Sequence, residues 1–195
     1  MSVLNRLRKQ VQHLYLLRKY SNRIDLVSLL ASLGSFKYVV LKSDVPYAPS
    51  RFPEEYPVGK DLDLLVSDSD FDRAVATIEA FVASTKWGRP VVLHREPGRV
   101  MLRFNFWFDI LHYLIDCSAA STLGELGDEL LVERELGIFP TPSRSRELLF
   151  RANEYLDNPR KSHHLEYILR YSSEWDQPLA QRCHIALTDG VVSRF

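Results

Sequence analysis

The segment Gly59-Lys60-Asp61-Leu62-Asp63-Leu64-Leu65-Val66 constrains the chain most, because it sets two carboxylates two residues apart at the start of an otherwise apolar strand. Strand side chains alternate faces, so Asp61 and Asp63 point the same way. Two carboxylates side by side repel each other, and burying them is costly unless something positive neutralises the pair. A divalent metal does this. Mg2+ prefers oxygen ligands, takes one or two carboxylates from a protein, and fills its other positions with water and substrate phosphates.

The flanking segments fit a strand so placed. Phe36 to Ser43 reads as an earlier strand ending in the polar pair Lys42-Ser43, and it is rich in β-branched and aromatic residues. Between the two strands Pro46, Pro49, Pro53, Pro57 and Gly59 exclude a helix. After Val66, the apolar residues Phe71, Val75, Ile78 and Val82 recur at helical spacing, which predicts a helix over 71–82. Asp68 and Asp70, a second D-x-D, precede that helix and read as caps.

Helix, strand with a short polar turn, Pro/Gly loop, D-x-D strand, helix, then a strand bearing a further acid: over residues 22–117 this order resembles the nucleotidyltransferase superfamily, the polymerase-β-like fold. In that family the first strand ends in a Gly-Gly or Gly-Ser turn and the next carries G-x-D-x-D. Ser43 stands at the family's serine, and Gly59, Asp61 and Asp63 match the second motif. Lys42 replaces the usual glycine, and the loop 44–60 is longer than in minimal members. A basic residue in this turn resembles small bacterial relatives, some of them associated with surface-polysaccharide synthesis.

The resemblance implies transfer of a nucleoside monophosphate from a nucleoside triphosphate such as ATP to an acceptor hydroxyl, with pyrophosphate leaving. Two-metal chemistry stabilises both the attacking and the leaving oxygen, and one acid serves the attacking side. Candidates for that acid lie in the run Arg99 to Asp116, apolar on both faces as in a strand at the middle of a covered sheet. Asp109 is the one acid within the apolar part of the run and is favoured, since a lone buried carboxylate needs a reason. Asp116, beside Cys117-Ser118, is the alternative. Asp61, Asp63 and Asp109 are thus the expected ligands of Mg2+ or Mn2+. Lys42, Ser43, Gly59 and Lys60 are the expected phosphate-site residues, with Arg51 a weaker candidate; oriented amides and a lysine bind phosphate well.

The implied fold is α/β (α+β), a nucleotidyltransferase-like mixed sheet flanked by helices with a C-terminal helical extension. The expected units are an N-terminal amphipathic helix over 1–20, a catalytic core over 21–120 and a helical region over 121–195. In the last, Leu123–Leu136, Arg146–Leu156 and Leu165–Tyr171 read as helices. Arg144, Arg146, Arg151, Arg160 and Lys161 there could reach a triphosphate, although basic residues on helices are usually solvated. His163 and His164, adjacent on a helix, read as surface residues. His94 lies beside a hairpin whose turn is Pro97-Gly98.

With 25 Lys plus Arg against 25 Asp plus Glu, nothing suggests a nucleic-acid surface, which argues against a polymerase. Cys117 and Cys183 lack metal-ligand spacing and suit a reducing, cytoplasmic setting. No apolar run is long enough to span a membrane. Residues 2–20 carry Arg6, Arg8, Lys9, Arg18 and Lys19 with no acid. They could touch an anionic membrane, but packing on the chain's own domain is favoured. Three functions compete: nucleotide transfer to a small hydroxylated molecule (a sugar, polyol or antibiotic), nucleotidylation of a protein as in toxin–antitoxin relatives, and a silent ligand-binding domain.

Overall fold

Strands of alternating character form a sheet with one apolar face and one mixed face, and the helices divide between them. The structure, a computed structural model, describes residues 25–44, 52–54, 61–84, 89–106 and 111–195. The basic N-terminal segment, Arg51, Gly59, Lys60 and Asp109 lie outside the described residues.

Helix α1 (Leu26–Ser32) is capped by Asp25, whose carboxylate accepts the Ser28 N–H at 2.9 Å, and it ends at Leu33-Gly34. Then come β1 (Tyr38–Leu41), β2 (Asp61–Val66), α2 (Phe71–Ser84), β3 (Arg89–Glu96), β4 (Arg99–Phe106) and β5 (Leu111–Ala119). The sheet order is β1-β2-β5-β4-β3, and β2/β5 is its parallel pair. Pro97-Gly98 turns β3 into β4, as the dipeptide predicts, with Gly98 at φ +75° where a side chain would be strained.

Tyr38 and Val40, Leu62, Leu64 and Val66, Val100 and Leu102, and Ile115 and Cys117 point to one face, where they pack against the buried sides of α1 and α2. Each such burial contributes roughly 1.5–3 kcal/mol for a large aliphatic or aromatic side chain. Burial pushes the Cys117 thiol up to about 12, so it acts as a core residue rather than a nucleophile. Val39, Leu41 and Leu65 point to the other face, against helices from the C-terminal half.

The C-terminal half forms α3 (Glu125–Val132), α4 (Arg144–Asp157), α5 (Ser162–Arg170) and α6 (Gln177–Arg182), with short hairpins β6 (Arg134–Leu136)–β7 (Pro140–Pro142) and β8 (Ile185–Thr188)–β9 (Val191–Arg194); α3, α4 and α6 pack on the sheet, while α5 and the β8–β9 hairpin pack on α4. A 3-10 turn, Ala120–Leu123, carries β5 into α3. A Cβ at Gly127 of α3 would stand 2.0 Å from the Ala120 carbonyl oxygen, so the helix approaches this turn as only glycine permits. Arg146 binds α3 and α6 to α4 through Glu129, Glu133 and Asp176. Among the described residues no helix is long and apolar enough to cross a membrane.

Several expectations change. The run Arg99 to Asp116 is two antiparallel strands of one hairpin, since at 18 residues it exceeds the usual strand length. The first strand is shorter than 36–43, because Lys42 turns the chain at positive φ. The expected helix Leu123–Leu136 stops at Val132, and its last residues pair with β7 instead. Asp70 accepts the Lys37 N–H at 3.0 Å, and Asp68 accepts the Ser121 N–H at 3.1 Å, so both acids bind segments distant in sequence. His164 is buried rather than at the surface.

Candidate active site

Strand register builds the site. On the mixed face, β2 presents Asp61, Asp63 and Leu65, and the parallel register places Asp63 opposite Asp116 and Leu65 opposite Ser118. At the level of Asp63, the row across four strands reads Leu41, Asp63, Asp116, Met101. Asp63 and Asp116, level with each other in the sheet, thus come from strands separated in the chain by a helix and a hairpin. Asp61 lies exposed at the open end of the same face.

These residues line a cleft of about 400 Å3 between the sheet and the C-terminal helices, together with Lys42, Arg99, Thr122, Phe150, Glu154 and Lys161. Four carboxylates and three cationic side chains thus share one space. Arg99 holds Asp116 with two parallel hydrogen bonds, 3.0 Å from Nε to Oδ1 and 2.5 Å from Nη2 to Oδ2, the fork geometry that suits guanidinium and carboxylate. Lys42 Nζ lies 2.8 Å from Asp63 Oδ2 and 3.7 Å from Glu154 Oε2, over the Phe150 ring.

Lys42 is held in an unusual way. Its φ of +55° lies in the left-handed region, which costs a side-chain-bearing residue roughly 1–2 kcal/mol and which glycine enters freely. This is the position at which the resembled family carries glycine. Here the Lys42 N–H is fixed by the buried Glu147 carboxylate, 3.0 Å away, and the ammonium by Asp63. Strain of this kind survives where surrounding contacts over-determine it.

The charges do not balance. Burial works against the Lys42 charge, but Asp63, Glu154 and Asp61 outweigh it and hold the ammonium above its ordinary value. Burial pushes Asp63 up to about 6, with Lys42 opposing and Asp61 reinforcing the rise. One ammonium shared among three carboxylates stays fully charged and compensates none of them completely.

The other expected residues have different places. Ser43 and Asp44 face a smaller hollow of about 130 Å3 beside Glu135, Thr141, Arg144 and Glu147, on the other side of the turn from the acids. Arg151 is completely buried, paired with Glu147 at 2.9 Å and Asp44 at 2.5 Å, its guanidinium 3.9 Å from the Tyr167 ring. Burial raises Glu147, and Arg151 opposes that rise. Arg144 stacks on Tyr171, Arg146 joins helices, and Arg160 is exposed, so of the five basic candidates Lys161 alone lines the cleft.

Sequence reasoning missed Arg99, Glu154 and the pairing of Lys42 with Asp63. Arg99 had a local signal, a cation opening an apolar strand directly after a tight turn. Glu154 had none, because it reaches the cleft only through the packing of α4 on the sheet.

The structure is a mixed α/β fold, a five-stranded sheet flanked by helices, with Asp61 and Asp63 at the start of β2. No family model matches the chain, and no curated protein matches it. Among solved structures, it is similar to JHP933 of Helicobacter pylori, with 13% identity over 80% of this chain and 68% of that one, at a TM-score of 0.49. It is also similar to an H. pylori protein provisionally assigned as a nucleotidyltransferase, with 14% identity over 88% and 73% of the two chains, at a TM-score of 0.48.

Proposed function

We propose that the chain is a Mg2+- or Mn2+-dependent nucleotidyltransferase that moves a nucleoside monophosphate from a nucleoside triphosphate to a hydroxyl of a small molecule such as a sugar or polyol. The observation that carries this reading is the direct opposition of Asp63 and Asp116 on parallel β2 and β5, with Asp61 on the same face. The donor set fits such a metal in its chemistry, hard carboxylates in a cleft where carboxylates outnumber cations. As they stand, no three acid, histidine or cysteine side chains among the described residues converge to hold an ion, because Asp63 and Asp116 are turned to Lys42 and Arg99.

In this reading Asp61, Asp63 and Asp116 hold the metal. Asp116 takes the third-acid role because it faces Asp63, whereas Asp109 lies outside the described residues. The bound metal supplies charge stabilisation at the attacking and leaving oxygens. Lys161, Arg99 and Lys42 are the cations placed to meet the triphosphate. The acceptor oxygen forms a bond to the α-phosphorus, the bond to the bridging oxygen breaks, and that oxygen leaves with its electron pair on pyrophosphate. The hydroxyl proton passes to a cleft carboxylate or to water.

One observation favours a second reading, a ligand-binding domain without turnover: Asp63 and Asp116 are each already paired to a cation. Calorimetric titration with Mg2+ and a non-hydrolysable ATP analogue separates the two. Asp63→Asn and Asp116→Asn should each weaken binding at least tenfold without unfolding the chain; affinities equal to wild type would leave only the silent domain.

A further inference from the structure

We propose that Lys42 is a built-in counter-ion that exchanges with the metal on Asp63, so that metal alone binds weakly and metal with triphosphate binds well. This rests on the nucleotidyltransferase reading and adds to it a coupling between its two ligands.

The geometry sets up a competition. The Lys42 ammonium sits 2.8 Å from Asp63 Oδ2, the distance at which a ligand of that oxygen belongs, and its side chain is only 13% exposed. A divalent ion and an ammonium cannot both contact one carboxylate oxygen, because their mutual repulsion at such range is larger than either can offset in a poorly solvated cleft. The lysine has somewhere to go. Glu154 Oε2, 3.7 Å from Nζ, offers a second carboxylate, and the four-carbon stem rotates easily about its own bonds. Glu154 already attracts Lys161, whose Nζ is 3.4 Å from the same oxygen, so a displaced Lys42 shares that acid and stays short of negative charge. Triphosphate supplies it.

The turn reinforces the point. A left-handed lysine fixed by its N–H to Glu147 aims its stem across the end of β1 at Asp63, the neighbour of Leu41 in the sheet register. A glycine would fit that backbone without strain, so the side chain itself is what the position holds. Metal binding to Asp63 then releases an ammonium beside the phosphate site, and a phosphate that captures the ammonium makes Asp63 available. Each ligand raises the affinity of the other, as linkage requires.

The test measures two ligands on the full chain: Mn2+ alone, by titration calorimetry and by the electron paramagnetic resonance of free Mn2+, and the Mg2+ complex of inorganic tripolyphosphate. Lys42→Met should bind Mn2+ alone at least tenfold more tightly than wild type and Mg-tripolyphosphate at least tenfold more weakly. A merely structural lysine would not move the two in opposite directions. Lys42→Gly, which relieves the left-handed strain, should behave the same way and guards against a misfolded methionine variant. Unchanged or weaker Mn2+ affinity in both variants overturns the exchange. If Asp63→Asn then abolishes Mn2+ binding, the metal site survives and only the exchange has failed. If neither wild type nor any variant binds Mn2+, both the exchange and the metal-dependent reading fall.

Discussion

The two faces of the sheet are held by different physics. On the α1/α2 face, strand after strand contributes aliphatic side chains with almost no exposure, and stability follows from area removed from water. On the opposite face the same strands carry Asp61, Asp63, Asp116 and Arg99, with Lys42 just past the end of β1; the Arg146 ion pairs join the covering helices, and buried Arg151 ties α4 to the turn after β1. Hydrophobic burial is non-directional and tolerates substitution of similar volume. Paired charges tolerate almost nothing, because removing one partner strands the other in a poorly solvated place. One face is thus suited to persistence, the other to chemistry.

The largest expected effect lies on the charged side. Arg151→Leu should cost about 3–5 kcal/mol in urea unfolding, since it leaves Glu147 buried and Asp44 without its cation. A loss below about 1 kcal/mol would mean that the helices are fixed mainly by apolar packing, and the comparison would collapse. On the apolar side, Leu102→Ala should cost about 3 kcal/mol, from lost transfer energy and a residual cavity, with no change in ligand binding. Altered ligand affinity in that variant would show that the faces are coupled.

Titration sharpens the contrast further. His164, with neither ring nitrogen hydrogen-bonded, is pushed down to about 3 by burial and then by His163, Lys42, Arg151 and Lys161. Its folded value lies below the unfolded one of about 6.5, so the stability it contributes is complete above that pH and is lost on acidification toward 3. Asp63 acts in the opposite sense. Raised to about 6 from 3.8, it contributes stability at low pH that disappears as the pH climbs through 6. Between pH 6.5 and 4.5, His164→Phe should therefore lose less stability than wild type and Asp63→Asn more, each by on the order of 1 kcal/mol in unfolding midpoints. Parallel curves for all three proteins would sink both assignments. The smallest effect belongs to the exposed pair Arg95–Glu79, where Arg95→Ala should change stability by less than about 0.5 kcal/mol.

What the sequence made legible tracks the same division. Leu62, Leu64 and Val66 alternating with Asp61 and Asp63, the 3.6-residue rhythm of Phe71 to Val82, and the Pro97-Gly98 turn are local patterns with local causes. The run Arg99 to Asp116 reads in sequence as one strand, because two adjacent strands, each apolar, carry no internal mark where one ends and the other begins. That hid the partner of Asp63. The parallel register that puts Asp116 in the row of Asp63 is not legible in either strand alone, since it depends on how β5 lies against β2. Burial of His164 and the reach of Glu154 were invisible for the same reason, since both depend on how helices from the second half of the chain settle on the first.

The parallel pairing of β2 and β5 also sets when the site comes into being. Antiparallel neighbours such as β3 and β4 close through a two-residue turn, but β2 must wait for α2 and the whole β3–β4 hairpin before β5 can lie beside it. Closing a long loop is paid in chain entropy before any contact rewards it, which places this step among the slow ones. Asp63 and Asp116 meet only then. During refolding, helical signal and formation of the β3–β4 hairpin should run ahead of this pairing; on the metal-dependent reading proposed above, Mn2+ affinity should be absent until it closes.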